Sequence, residues 1–263
     1  MNAPRLDYDR TTYEDPGIVA LYSETPALQP PEQTFLDALR PAIGDMDVLD
    51  LGVGTGRSAR FFAPPAKSYL GLDYSSTMIE RCRQQLPHFD FVLGDASRLD
   101  FVADASYDVV LFTYNGIDHL GLAGRQRALS EMRRVLRPRG KMLFSSHNTN
   151  FLPEIVERYR FRIGGGVRET LRSMKWSLVF NLHNPTLRFR LPLRVDIVND
   201  GLHDFRTAGV CYIRPDVQIT ALRELGMDDI QCAENYSTAF IDGGDASVAM
   251  LPSPWVYYIC RKP

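Results

Sequence analysis

The chain has 263 residues, 44% of them apolar and 24% charged, with a formal net charge of −2. Such a chain buries one good core with an elaboration, or forms one large and one small domain. Its charge balance excludes a bulk attraction to nucleic acid, and no apolar run is long enough to span a bilayer, so no membrane partner is expected. The N-terminus is acidic and polar rather than a signal peptide. Cys82, Cys211, Cys232 and Cys260 are scattered without a C-x-x-C pair, and read as reduced structural thiols in the cytoplasm with no metal site.

Residues 1–40 read as a helical lead-in or lid, carrying Tyr8, Tyr13 and Tyr22 and broken at Pro30-Pro31. A core then runs from 41 to 148. Asp47-Val48-Leu49-Asp50-Leu51 is an apolar run with an acid near its end, the pattern of a buried parallel strand. Gly52, Gly54 and Gly56 follow on alternate positions, allowing a tight turn whose backbone can approach a ligand, and Arg57-Ser58 begins a helix. A second strand covers Ser68–Leu72 and ends at Asp73. The helix after it, capped by Ser75 or Ser76, places Met78, Ile79, Cys82 and Leu86 on one face. Strands are predicted at Phe89–Leu93, Tyr107–Phe112 and Lys141–Ser145. A helix carrying Ala128, Leu129, Met132, Val135 and Leu136 precedes the last of these.

Alternation of strand and helix breaks down over 149–213. Residues 158–194 hold nine Lys or Arg and one acid, Glu169, and Thr186–Leu191 alternates with the period of a strand, apolar on one face and basic on the other. This segment reads as a cap inserted beside the sheet's carboxyl edge. From 214 to 263 the pattern resumes with a helix begun by Pro215 and stopped by Gly226, then strands at Asp229–Ala233 and Trp255–Cys260 that look like a hairpin joined through Gly243-Gly244. The expected architecture is α/β and doubly wound: a Rossmann-like, seven-stranded, mostly parallel sheet with an antiparallel last strand, plus the cap.

A dinucleotide fingerprint starting at Gly52 needs its third glycine at position 57, where this chain has Arg57; the glycine comes one place early, at Gly56. That argues against a nicotinamide-dependent oxidoreductase. The Asp-Leu-Gly-x-Gly-x-Gly run resembles motif I of the class I S-adenosylmethionine-dependent methyltransferases, and the resemblance covers about residues 45–148. Asp50, Asp73, Asp95 and Asn115 stand at or just beyond four successive strand ends, where ligands of open α/β sheets sit. A carboxylate at Asp73 can accept both hydroxyls of a ribose, and Tyr74 beside it joins the cofactor set. The resemblance implies that Asp95 and the N–H of Ala96 meet the adenine edge. It implies that Asp50 fixes the glycine turn and the amino end of the cofactor, and that the backbone of Asn115-Gly116 lies against the methionine part. It also implies that Tyr13 closes over cofactor or substrate. Met78 reads either as an adenine contact or as core.

The function expected is methyl transfer from S-adenosylmethionine to a nitrogen or oxygen of a small-molecule acceptor by in-line displacement. A neutral acceptor needs a base, and His119 and His147 are the candidates. The basic cap points to an anionic acceptor, or else to a solvated face. The resemblance implies that a catechol-type metal site would want acids at the ends of the fourth and fifth strands; Asp118 is near, but Ser145-Ser146-His147-Asn148 offers no acid, so no metal is expected. A non-catalytic cofactor-binding protein and an RNA methyltransferase are the alternatives; the chain lacks an Asn-Pro-Pro-Tyr-type motif and nucleic acid is not expected. No G-x-S-x-G elbow supports a hydrolase.

Overall fold

The structure, a computed structural model, describes residues 10–24 and 27–263; Tyr8 and the rest of the first nine residues lie outside it. The lead-in forms a helical turn at 10–13, then α1 (Pro16–Ser23) and α2 (Pro30–Leu39). Both helices use proline in the first turn, where a missing N–H costs nothing, and Asp15 caps α1 through the N–H groups of Gly17 and Ile18.

Strands β1 (Asp47–Leu51), β2 (Ser68–Asp73), β3 (Asp90–Leu93), β4 (Tyr107–Phe112) and β5 (Leu136–His147) are parallel, in the spatial order β3-β2-β1-β4-β5. Helices α3 (Ala59–Phe62), α4 (Ser76–Gln85) and α5 (Gly121–Val135) intervene, and α9 (Pro215–Glu224) precedes the closing strands. Two-residue periodicity divides the core. Val110 and Phe112 of β4 pack on one side of the sheet with Met132, Met142 and Tyr258, while Val109 and Leu111 pack on the other with Phe62, Leu143 and Tyr257. Order reverses between β1 and β4, so the crevice of a doubly wound sheet opens at the carboxyl ends of those strands.

The closing strands β8 (Asp228–Glu234) and β10 (Trp255–Arg261) are antiparallel to each other, as expected, with the two-residue β9 (Ile241–Asp242) turning back on β8 just before Gly243. The last strand of the chain is internal: β10 pairs with β5 on one side and β8 on the other. The seven-stranded, mostly parallel sheet is extended by β6 (Val195–Val198) and β7 (Val210–Ile213), an antiparallel pair that joins β5 through His147 and Tyr212.

Residues 149–213 build their own small core. Short helices α6 (Leu152–Arg158) and α8 (Leu187–Arg190) and the longer α7 (Val167–His183) pack Leu152, Phe180, Leu187 and Phe205 together. The period-two alternation over Thr186–Leu191 does not build an extended segment: Leu187–Arg190 form α8. Alternation would place Leu187 and Phe189 on one face, yet Leu187 is buried and Phe189 lies in solvent; Arg190 donates back one helical turn to the Thr186 hydroxyl. The edge that such a strand would need is taken by β6, which pairs with β7.

Candidate functional site

A cavity of about 530 Å³ opens at the carboxyl ends of β1 to β4. Its floor is the turn after β1. Gly52, Gly54 and Gly56 all adopt left-handed φ, at +64°, +57° and +88°, which side chains rarely tolerate. They do different things. A Cβ at Gly54 would meet nothing within 4 Å, because it would project into the cavity. A Cβ at Gly52 would collide with the Phe112 ring at 2.7 Å. Gly56, expected at the cofactor, does not line the cavity: a Cβ there would strike Leu86 at 3.0 Å and Cys82 at 3.3 Å, so this glycine admits α4 against the turn.

Asp73 ends β2 and stands in the wall, buried. One carboxylate oxygen accepts the Gly54 N–H at 2.9 Å and the other accepts the Ser75 N–H at 2.9 Å, which ties the glycine turn to the start of α4. Burial pushes this carboxyl above its ordinary range, while the N–H groups of Ser75, Gly54 and Tyr74 pull it back. Each oxygen keeps a lone pair for a hydroxyl. Asp95 and Ala96 line the cavity at the end of β3, with Asp95 fixed by the Ser97 N–H at 2.8 Å. Tyr74, Met78 and Gly116 line it as well, and Met78 also packs with Tyr13, Ile18 and Val19.

Asp50 does not reach the cavity. It lies one layer behind Ser58, which lines the wall and donates to it at 2.6 Å, and it accepts the Tyr69 hydroxyl at 2.7 Å. Burial pushes its carboxyl up to about 6, with the Ser58 and Tyr69 hydroxyls opposing, and its second oxygen is buried without a protein partner. Its action on a ligand would therefore pass through the turn. Asn115, in the left-handed region at φ +63°, likewise stays out of the wall; its N–H goes to the Ser145 hydroxyl at 2.8 Å and its side chain turns toward His147.

The two histidines separate. His119 lines the cavity, with its Nε2 3.0 Å from the Tyr13 hydroxyl, and Tyr13 forms part of the same wall. His147, expected beside the acceptor, is not among the cavity residues. Its ring Nδ1 sits 2.8 Å from Asp118 and its backbone N–H donates to the same oxygen at 2.7 Å. Asp118 is fully buried, and burial alone would raise its carboxyl; His147 and Arg125 outweigh that and hold it low. Ser146 also donates to Asp118, and Arg125 continues to Gln218 at 2.6 Å, so the network joins β5 to α5 and α9.

Several wall residues escaped the sequence reading. Arg57, read from sequence as a missing glycine and the start of a helix, forms a buried double ion pair with Glu32 at 2.6 Å for each bond, and its guanidinium lies 4.7 Å from the Tyr114 ring centre. Glu32 also accepts the Tyr257 hydroxyl at 2.9 Å, so α2, the glycine turn and β10 meet there. Arg10 donates to the Tyr74 carbonyl at 2.9 and 3.0 Å. Tyr22 and Tyr114 complete the aromatic rim, and His203 from the 149–213 segment meets Tyr13 edge-on, with ring centres 5.4 Å apart. Burial lowers the His203 imidazole's affinity for a proton. A left-handed residue such as Tyr114 (φ +57°) leaves no mark in composition, and the Arg57–Glu32 pair spans 25 residues. Of the two readings of the basic segment, its Arg188 and Arg190 favour the solvated face. Arg190 pairs with Asp196 at 2.6 Å, Arg188 bonds Asn181 at 2.7 Å, and neither lines the cavity, whose cations are Arg10 and Arg57.

A glycine turn, an acid closing the second strand and a cavity over four strand ends define a Rossmann-like nucleotide-type site. The room above Gly54, the open lone pairs of Asp73 and the Asp95-Ala96 edge fit an adenosine, and the aromatic rim fits a thioether or sulfonium beyond it. Residues 48–140 match the methyltransferase domain family. Over 114 residues the chain is 38% identical to the demethylmenaquinone methyltransferase of Beutenbergia cavernae, covering 43% of this chain and 45% of that protein. It is 29% identical over 147 residues to the malonyl-acyl-carrier protein O-methyltransferase of Pectobacterium atrosepticum, covering 56% of each. The chain thus spans about half the length of the curated relatives it matches. The solved 1,6-didemethyltoxoflavin-N1-methyltransferase of Burkholderia thailandensis shares the fold, with a TM-score of 0.60 at 14% identity over 100% of this chain and 90% of that one.

Proposed function

We propose that this protein moves a methyl group from S-adenosylmethionine to a nitrogen or oxygen of a small-molecule acceptor. The observation that carries the reading is the meeting of four successive strand ends in one cavity, with Asp73 and Asp95 on its wall and Gly54 leaving its floor open. When bound, the cofactor supplies an electrophilic methyl carbon on a sulfonium, which leaves as a neutral thioether. The chain's own task is mostly alignment, which can contribute about 7–11 kcal/mol. Asp73 would hold the ribose hydroxyls, Asp95 and Ala96 the adenine edge, and the aromatic rim would exclude water. His119, whose Nε2 pairs with the Tyr13 hydroxyl on the cavity wall, would receive the proton from the acceptor.

Relatives named for demethylmenaquinone and 1,6-didemethyltoxoflavin support small molecules as the acceptor class. A cytoplasmic location belongs to the same proposal, resting on four cysteines that are all free and buried. The test is transfer of labelled methyl from S-adenosylmethionine to a panel of phenols, amines and quinones, with bulk RNA as the competing substrate. Label in a small acceptor, lost in His119→Ala with cofactor binding retained, is expected. Label in RNA alone would overturn the acceptor class.

A further inference from the structure

Helix α7 is amphipathic in an unusual sense, because both of its opposite faces are apolar. At 100° per residue, Trp176 and Phe180 fall on one side, and they pack against Phe205 inside the segment's core. Val167, Leu171, Met174, Leu178 and Leu182 recur at spacings of four, three, four and four on the other side, and they are 51–76% exposed. The stripe is about 22 Å long at 1.5 Å per residue. A continuous exposed apolar stripe of this kind marks an interaction surface rather than scattered surface leucines.

The charges beside the stripe decide what covers it. Lys175, Arg168 and Arg172 follow one another around the helix along one edge of the stripe, and no ion pair among the described residues holds any of them; Lys175 lies over the Trp176 ring at 4.8 Å. The helix's one acid, Glu169, falls on the far side with Trp176. A second copy of the chain would bring two such cationic edges together with no acid to pair them. An anionic surface matches both features at once, since apolar side chains enter the acyl boundary while flanking Lys and Arg reach the headgroups.

We propose that the outer face of α7 docks on an anionic phospholipid bilayer. This is surface binding: among the described residues no helix is long and apolar enough to cross a membrane. It is also independent of the methyl-transfer reading. The inner face of α7 touches Phe205, two residues from the His203 that meets Tyr13 and Tyr22 at the cavity rim, so docking would bear on the mouth of the site.

The test is co-flotation of the full chain with vesicles of phosphatidylcholine alone or mixed with phosphatidylglycerol, at low and high salt, alongside light scattering for oligomeric state. Binding to the mixed vesicles alone, weakened by salt, is expected. Leu171→Asp/Leu178→Asp should weaken it at least tenfold, and Arg172→Ala and Lys175→Ala about fivefold each. All four side chains are exposed, so thermal unfolding and cofactor affinity should not move. Failure to float with phosphatidylglycerol vesicles, or equal flotation of the Leu171→Asp/Leu178→Asp variant, overturns the proposal. So does a dimer that the same double substitution dissolves, which would assign the face to a second copy.

Discussion

Replacing Asp73 by alanine is the sharpest test of the cavity. The carboxylate does two jobs: it holds the Gly54 and Ser75 N–H groups at 2.9 Å each, and it faces the space a ribose would fill. The first loss is softened in two ways. Ser75 still caps α4 through the Met78 N–H, and burial of the ionised carboxyl, which raises its pKa, is itself a cost that alanine removes. The second loss has no compensation. A hydrogen bond to a charged group contributes about 1.5–3 kcal/mol, so Kd for S-adenosylhomocysteine should rise roughly 10- to 150-fold. Asp73→Asn should fail too, because each oxygen already holds a backbone donor and an amide NH₂ must turn toward one of them. Calorimetric titration at neutral pH measures Kd, and thermal unfolding separates binding from folding. A 2′-deoxy analogue should bind wild type more weakly yet discriminate little in the variant. A folded Asp73→Ala protein whose Kd stays within about twofold of wild type would remove Asp73 from the site.

Gly54→Val should stay folded and lose the cofactor, since strain at φ +57° costs about 1–3 kcal/mol and the side chain occupies the cavity. Gly56→Val, packed on Leu86 and Cys82, should instead lower the unfolding temperature, and the opposite pairing in calorimetry would refute the division of labour. Glu32→Ala strands a buried Arg57 and should cost about 3–5 kcal/mol in denaturant titration; a loss under about 1 kcal/mol would mean the cation finds another partner. His119→Ala should cut turnover by about 10²-fold or more and flatten its pH profile, whereas His147→Ala should reduce stability through Asp118 and leave the profile's shape alone. The reverse result would make His147 the base. Asp50, pushed up to about 6 when folded, binds a proton that the unfolded chain has already lost near pH 4 to 6. Its contribution is therefore greatest at low pH and lost as pH rises through 6, by about 3 kcal/mol in all. Asp50→Asn should remove that slope from stability-versus-pH curves measured without cofactor.

Much of this molecule is local in origin. A buried parallel strand must be apolar on both faces, and a turn at left-handed φ needs glycine. The five core strands, the glycine turn and the acid that ends β2 were therefore all legible in residues 47–145. Strand ends of a doubly wound sheet meet at one edge, which is why Asp73, Asp95 and Gly116 could be assigned to one site before any contact was known. Position along the chain could not say which side of a turn a group faces. Gly54 opens on the cavity while Gly56, two residues on, packs against α4; Asp50 sits behind Ser58; His147 turns to Asp118 while His119 reaches Tyr13. The Arg57–Glu32 pair and the meeting of Tyr13, Tyr22 and His203 join segments 25 to 190 residues apart, and such pairings leave no periodicity to read. Residues 186–191 show the same limit from the other direction: their alternation is that of a strand, but a strand needs a free edge, and with β6 on β7 the packing of Leu187 made it a helix.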